Sequence, residues 1–177
     1  ARESMVLTSA QSNCPLTAHR GMLLTGMYPN RSGVPLNCNS TRPISSLRDD
    51  AECIGDVFSK AGYDCAYFGK LHADFPTPND PNIRDSMWKK NVRHGMPIHE
   101  RTPARLNYWY SYGTLTNTRT RIIGIRMVRD TIEGMVTLHE SGKVISYLKN
   151  DGNVRDTKKP FFIMVGMNPP HSPYRSL

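Results

Sequence analysis

Apolar positions along the chain fall into short blocks whose spacing switches between that of a strand and that of a helix. The block Phe161–Met167, FFIMVGM, is almost wholly apolar and bounded by Pro160 and Asn168, which predicts a buried strand. Ile54, Val57, Phe58 and Ala61 recur at helical spacing before Gly62, and Asp49 with Glu52 three places on predicts a capping box at the start of that helix. Tyr63–Phe68 then predicts a short aromatic-rich strand. Upstream, Met22, Leu23 and Leu24 lie in a helix that begins near Thr17 and stops at Gly26, and Met5–Thr8 predicts a short strand ahead of it. Asp130–Leu148 carries Ile132, Met135, Val136, Ile145 and Leu148 and predicts a helix, with a break expected at Gly134 or Gly142. Tyr28–Pro35 and Asn150–Lys159 are rich in turn residues, and residues 82–106 are polar and irregular, an insertion or loop region. Helix, glycine turn and strand in this order predict an α/β fold, a mostly parallel central sheet flanked by helices.

Composition narrows the picture moderately. A chain of 177 residues can bury one proper core, and no apolar run approaches membrane-spanning length. A net charge of +8 favours a polyanionic partner without choosing among nucleic acid, sulfated glycan and anionic membrane. Arg119, Arg121, Arg126 and Arg129 are the nearest approach to a basic cluster, but Ile122, Ile123 and Ile125 between them read as a half-buried segment with a solvated face, so no nucleic-acid or membrane partner is expected. Cys14, Cys38, Cys53 and Cys65 form no CxxC pair; Cys53 and Cys65 read as buried small hydrophobes, and a Cys14–Cys38 disulfide is left open. HESGK at His139 lacks the second histidine of a zinc motif and reads as helix surface. The aromatics of Leu106–Gly113, LNYWYSYG, suit either a stacking platform for sugar rings or a packed core segment.

Chemistry concentrates at three places. Arg20 stands one turn into the first helix, whose early backbone N–H groups favour an anion, and adds a forked permanent cation there. The Tyr63–Phe68 strand delivers Gly69, Lys70, Leu71 and His72 to the sheet edge where parallel α/β sheets bind ligands. The Phe161–Met167 strand leads into NPPHSPY, which presents His171 in a proline-stiffened loop.

These three strings, RGMLLTGMYP after a run of small residues, GKLH, and PHSP, resemble the sulfatase family in its motif order. The resemblance implies an alkaline-phosphatase-like α/β fold, of which residues 1–177 would be part of a single N-terminal catalytic domain, incomplete in this chain. It implies hydrolysis of a sulfate ester, with sulfated carbohydrate as the partner because ADFPTPNDP after GKLH is similar to loops of bacterial carbohydrate sulfatases. Arg20 and Lys70 would then bind sulfate oxygens, His72 would contact the nucleophile's hydroxyls, and His171 would meet the leaving-group oxygen. Within that loop, Asp74 and Asp80 read as solvated turn residues. A periplasmic or secreted location is expected on the same ground.

The family's nucleophile is formylglycine, made from a cysteine or serine four places before the arginine. Four places before Arg20 is Leu16, which cannot be converted, and Cys14 lies six places before it. One residue between Leu16 and Thr17 would restore the CxAxR spacing, so the nucleophile is expected there and missing from the chain as written; a true deletion would leave an inactive glycan-binding protein. Thr17 as a hydroxyl nucleophile is a third possibility with the wrong spacing. A phosphonate or phosphate ester hydrolase of the same superfamily is the alternative enzyme, since the same cradle holds either anion. The family's calcium implies hard oxygen ligands, but the paired aspartates it expects are absent, and Asp49 and Asp50 read as helix-cap residues, so no metal ligand is assigned.

Overall fold

The structure is a computed structural model that describes residues 5–12, 16–37, 45, 47–48, 50–73, 107–112, 122–125, 128–131 and 136–167. Helices α1 (Leu16–Thr25), α2 (Pro29–Ser32) and α3 (Ile54–Lys60) precede strand β1 (Asp64–Lys70). Strands β2 (Tyr108–Tyr112), β3 (Ile122–Ile125) and β4 (Val128–Thr131) follow, then helix α4 (Val136–Lys149), a 3-10 turn at Asp151–Asn153 and strand β5 (Phe161–Gly166). The strands lie in the order β4-β3-β2-β1-β5. β1 pairs parallel with β2 and with β5, while β3 and β4 extend the β2 side as antiparallel neighbours.

β1 is the axis of this sheet, buried at every one of its positions. Its alternating side chains feed two cores. Tyr67 joins Leu24, Val34, Leu47, Cys53, Leu71 and Ala73 on the face covered by α1 and α3, with Trp109 and Met164 packed against it. Ala66 and Phe68 join Tyr110 and Tyr147 on the face covered by α4, with Tyr108, Val144 and Ile163 alongside. Burying a large apolar side chain stabilises by about 1.5–3 kcal/mol, so this one strand ties together both faces of the sheet.

Several elements differ from the sequence pattern for identifiable reasons. α3 starts at Ile54 rather than near Asp49, because the cap is Cys53, whose backbone N–H donates to Asp56 Oδ2 at 2.9 Å. The expected cap partners are engaged elsewhere: Asp50 pairs with Arg48 at 2.7 Å and Glu52 with Lys60. Asp49 lies outside the described residues. Of the helix expected over Asp130–Leu148, Val136–Lys149 is helical and runs through Gly142 without a break, whereas Val128–Thr131 pairs with β3 instead; Gly134, the other expected break, lies outside the described residues. Packing of Val144 and Tyr147 on the sheet outweighs the roughly 1 kcal/mol cost of a helical glycine. β5 is a strand as expected but only half-buried, because it is the sheet's edge among the described residues. Met5–Leu7 are exposed and take no strand pairing among the described residues. Cys53 and Cys65 are buried free thiols, as their setting predicts, whereas Cys14, Cys38 and the stretch 82–106 lie outside the described residues.

The connection Asn150–Lys159 is built of turns, as expected, and is anchored to the sheet at its far end from Lys70 by the Asp156 N–H donating to Asp64 Oδ2 at 2.6 Å. Arg155 lies over the rings of Tyr147 and Phe161, covering the start of β5.

Gly142 has nothing within 4 Å of where a Cβ would stand, so Gly142→Ala is expected to stabilise the fold by roughly 0.5–1 kcal/mol, read as a higher denaturation midpoint. Burial pushes the Cys53 thiol and the Tyr67 phenol up to about 12, and raises Cys65 and Tyr147 in the same direction. Their contribution is complete below the ordinary thiol and phenol values of about 8.5–10, and is lost as pH rises toward about 12, because the unfolded chain ionises first. Thermal midpoints should therefore fall steadily from about pH 9 upward; a flat profile would contradict this burial.

Candidate active site

Three elements meet at the carboxyl ends of β1 and β5. Arg20 projects from the second turn of α1, and its guanidinium donates from Nη1 to the Lys70 carbonyl at 2.6 Å and from Nη2 to the Met167 carbonyl at 3.1 Å. One side chain thus clips the first helix to the ends of two neighbouring parallel strands. These bonds use two of the five N–H donors of a guanidinium. The Lys70 carbonyl also accepts the Tyr67 hydroxyl at 2.8 Å.

Two glycines make this convergence possible. Gly69 and Gly166 are register partners across β1 and β5, and Gly69 has φ 89°, the left-handed region. A Cβ at Gly69 would stand 2.5 Å from the Gly166 carbonyl oxygen. At Gly166 it would collide with the Lys70 carbonyl and lie 2.5 Å from Tyr67 Oη and 2.9 Å from Arg20 Nη1. On the helix side, a Cβ at Gly21 would press on Val34 at 3.1 Å, so the glycine after Arg20 lets α1 settle against Val34.

Lys70 ends β1 and is buried. Beyond it Leu71 and Ala73 both enter the α1-side core, and the intervening His72 adopts φ 49°. A non-glycine residue held in that region is strained; two buried neighbours hold His72 there, partly exposed. His171 lies outside the described residues; it stands four residues past Met167, which limits their Cα separation to about 14 Å.

At the start of α1, Thr17 is fully buried, and its hydroxyl donates to Asn37 Oδ1 at 2.9 Å. The Thr17 N–H also points to that oxygen, at 3.5 Å. Asn37 therefore takes up one of the early helix donors that the sequence left for an anion, and it also holds the buried Thr17 hydroxyl. Ser12 Oγ and His19 Nδ1 lie 2.6 Å apart across the same bend.

One reading left open is decided, and one expectation changes. Of the aromatic run, Tyr110 is fully buried, Trp109 stacks on Tyr67 at 4.9 Å, and Tyr108 packs on Phe68 and Tyr147, so these rings form core rather than a sugar platform. His139 faces the sheet, with Nε2 2.6 Å from the Tyr110 hydroxyl, instead of lying idle on the helix surface. Sequence reasoning overlooked Tyr67, Asn37 and the fully buried Glu140. Of these only Tyr67 had a signal, its position three places before Lys70 in a strand that ends at the site.

A family model for Sulfatase matches residues 1–176. The chain belongs to the sulfatase family. It is 69% identical to an endo-4-O-sulfatase of Bacteroides thetaiotaomicron over 190 aligned residues, which take in all of this chain and 35% of that protein. It is 32% identical over 122 residues to an ulvan-active sulfatase of Formosa agariphila, covering 63% of this chain and 23% of that one. A solved structure from work on glycosaminoglycan metabolism by Bacteroides thetaiotaomicron matches with a TM-score of 0.86 and 70% identity, over 99% of this chain and 37% of that one. The yidJ protein of Bacteroides fragilis matches with a TM-score of 0.69 and 30% identity, over 88% and 34% of the two chains. The α/β architecture is thus that of alkaline-phosphatase-like sulfatases, and this chain spans about a third of the length of the relatives it matches.

Gly166→Ala is expected to destabilise the fold by about 1–3 kcal/mol through overpacking, and Gly69→Ala by more because left-handed strain is added to a backbone collision. Urea denaturation midpoints of the two variants against the parent measure both.

Proposed function

We propose that the protein to which this chain belongs hydrolyses sulfate esters on a sulfated carbohydrate, most specifically 4-O-sulfates within glycosaminoglycan chains. The observation that carries the reading is the clip of Arg20 to the ends of β1 and β5, which gathers the first helix, Lys70 and the start of the His171 loop at one sheet edge. Identity of 69% to an endo-4-O-sulfatase supports the substrate class, and the retained sulfatase motifs support the reaction.

A sulfate monoester spreads one negative charge over three oxygens, and breaking the S–O bond adds charge to the departing alcohol oxygen. The remaining donors of Arg20 and the ammonium of Lys70 would cradle the sulfate oxygens. His72 would take a proton from the nucleophile's hydroxyl, and His171 would give one to the leaving oxygen. Formylglycine, expected immediately before Thr17, would supply a hydrated aldehyde whose second hydroxyl allows sulfate to be released. That position falls in the first turn of α1, which begins at Leu16, with Arg20 one turn further on. The 190 aligned positions against 177 residues leave at least 13 positions of the relative without a counterpart here, which is in keeping with an omitted residue. Among the described residues no three His, Cys, Asp or Glu converge on one point, so none of them is assigned to the calcium that the family resemblance implies. Action in the periplasm or outside the cell is part of the same proposal, and no described helix is long and apolar enough to cross a membrane.

The direct junction of Leu16 and Thr17 favours one second reading, a catalytically inactive binder of sulfated glycans. The mass of the tryptic peptide Glu3–Arg20 from the natural protein separates the two. An excess of one formylglycine residue over the written sequence is expected; a mass equal to the written sequence would replace the enzyme with the binder. In the full-length protein, sulfated glycosaminoglycan oligosaccharides should be turned over in preference to aryl phosphonates, and Arg20→Lys should lower kcat/KM by about 10²–10³. Faster turnover of the phosphonate would instead support the phosphonate hydrolase.

A further inference from the structure

We propose that Tyr67 is a positioning residue of this site: by sharing the Lys70 carbonyl with Arg20, its hydroxyl sets where the guanidinium and the end of β1 stand at the sheet edge. The proposal rests on the sulfatase reading for its kinetic consequence only.

A carbonyl oxygen offers two lone pairs. At Lys70 one donor is Arg20 Nη1 at 2.6 Å and the other is Tyr67 Oη at 2.8 Å. Two donors approaching one oxygen from different sides fix its direction, and with it the guanidinium that shares it. The phenol is itself immobile. Its residue is 4% exposed, its ring stacks on Trp109 at 4.9 Å with planes 24° apart, and Leu24, Leu71 and Met164 belong to the same packed cluster. The missing side chain at Gly166 leaves the space in which Tyr67 Oη and Arg20 Nη1 meet the carbonyl, since a Cβ there would crowd all three. Like any tyrosine the phenol is protonated, and therefore a donor, throughout the neutral range; burial pushes it further up to about 12, with the nearby Arg20 charge opposing that shift and the Glu140 charge adding to it. Trp109 thus acts on this site as a wall behind Tyr67 rather than as a surface for a sugar.

The effect on chemistry follows from how the contacts are used. If Arg20 grips the sulfate most strongly as charge builds in the transition state, a guanidinium freed to tilt loses rate more than ground-state binding. Tyr67→Phe removes only the hydroxyl and keeps the ring in its stack. In the full-length protein it should lower kcat on a 4-O-sulfated glycosaminoglycan oligosaccharide by about 10- to 100-fold, with KM little changed.

The deciding experiment is a double-mutant cycle of Tyr67→Phe with Arg20→Lys, read both in kcat and in thermal midpoint. The expected result is non-additivity in both: in the Arg20→Lys background the Tyr67 change costs little more rate, and the two midpoint losses do not sum. Unchanged kcat in Tyr67→Phe, or losses that multiply in rate and add in midpoint, would overturn the proposal in favour of a purely structural tyrosine. Should the full-length parent turn over no sulfate ester, the functional reading fails separately, and the midpoint cycle alone decides: non-additive losses uphold the Tyr67–Arg20 coupling and additive losses remove it.

Discussion

The oxygen of Lys70 is the point on which the described structure turns. It ends the buried axial strand, accepts from a helix residue fifty positions earlier in sequence, and accepts again from a tyrosine of its own strand. With the second Arg20 bond to Met167, this arrangement holds the first helix, the axial strand and the edge strand in one relation. Charge-assisted bonds of this kind are stronger than neutral ones, and they are directional. They fix not only that α1 packs on the sheet, which apolar contact would achieve, but which turn of it faces the strand ends.

Space at that point is as important as attraction. Two register-paired glycines allow β1 and β5 to bring their carbonyls close to a guanidinium and a phenol, and a third glycine after Arg20 lets the helix rest on Val34. Leu71 and Ala73 then pull the chain back into the core, which leaves His72 in a left-handed backbone conformation at the rim. The candidate site is therefore a consequence of burial on both sides of it: apolar residues are anchored inside, and the polar ones between them have a single place to go. The sulfatase family model matches residues 1–176, which places the chain in that family although it spans about a third of the relatives' length.

The sequence by itself determined the α/β class, the first helix with its stop at Gly26, the α3–glycine–β1 unit and the strand Phe161–Gly166, because these are local patterns of spacing and turn chemistry. It also marked Arg20 near the start of the first helix, and Lys70 and His72 at the end of a strand, as the chemistry of the site. The tertiary structure decided what local pattern cannot encode. Whether Gly142 breaks a helix depends on how well Val144 and Tyr147 pack beyond it, and whether LNYWYSYG lines a site or a core depends on which strand lies beside it. Asn37 and Tyr67 became visible only there, since a hydrogen bond between residues twenty positions apart, or to a carbonyl that a distant arginine also needs, leaves no period in the chain. Periodicity reports which face of an element is buried; only the folded packing decides what that face is buried against.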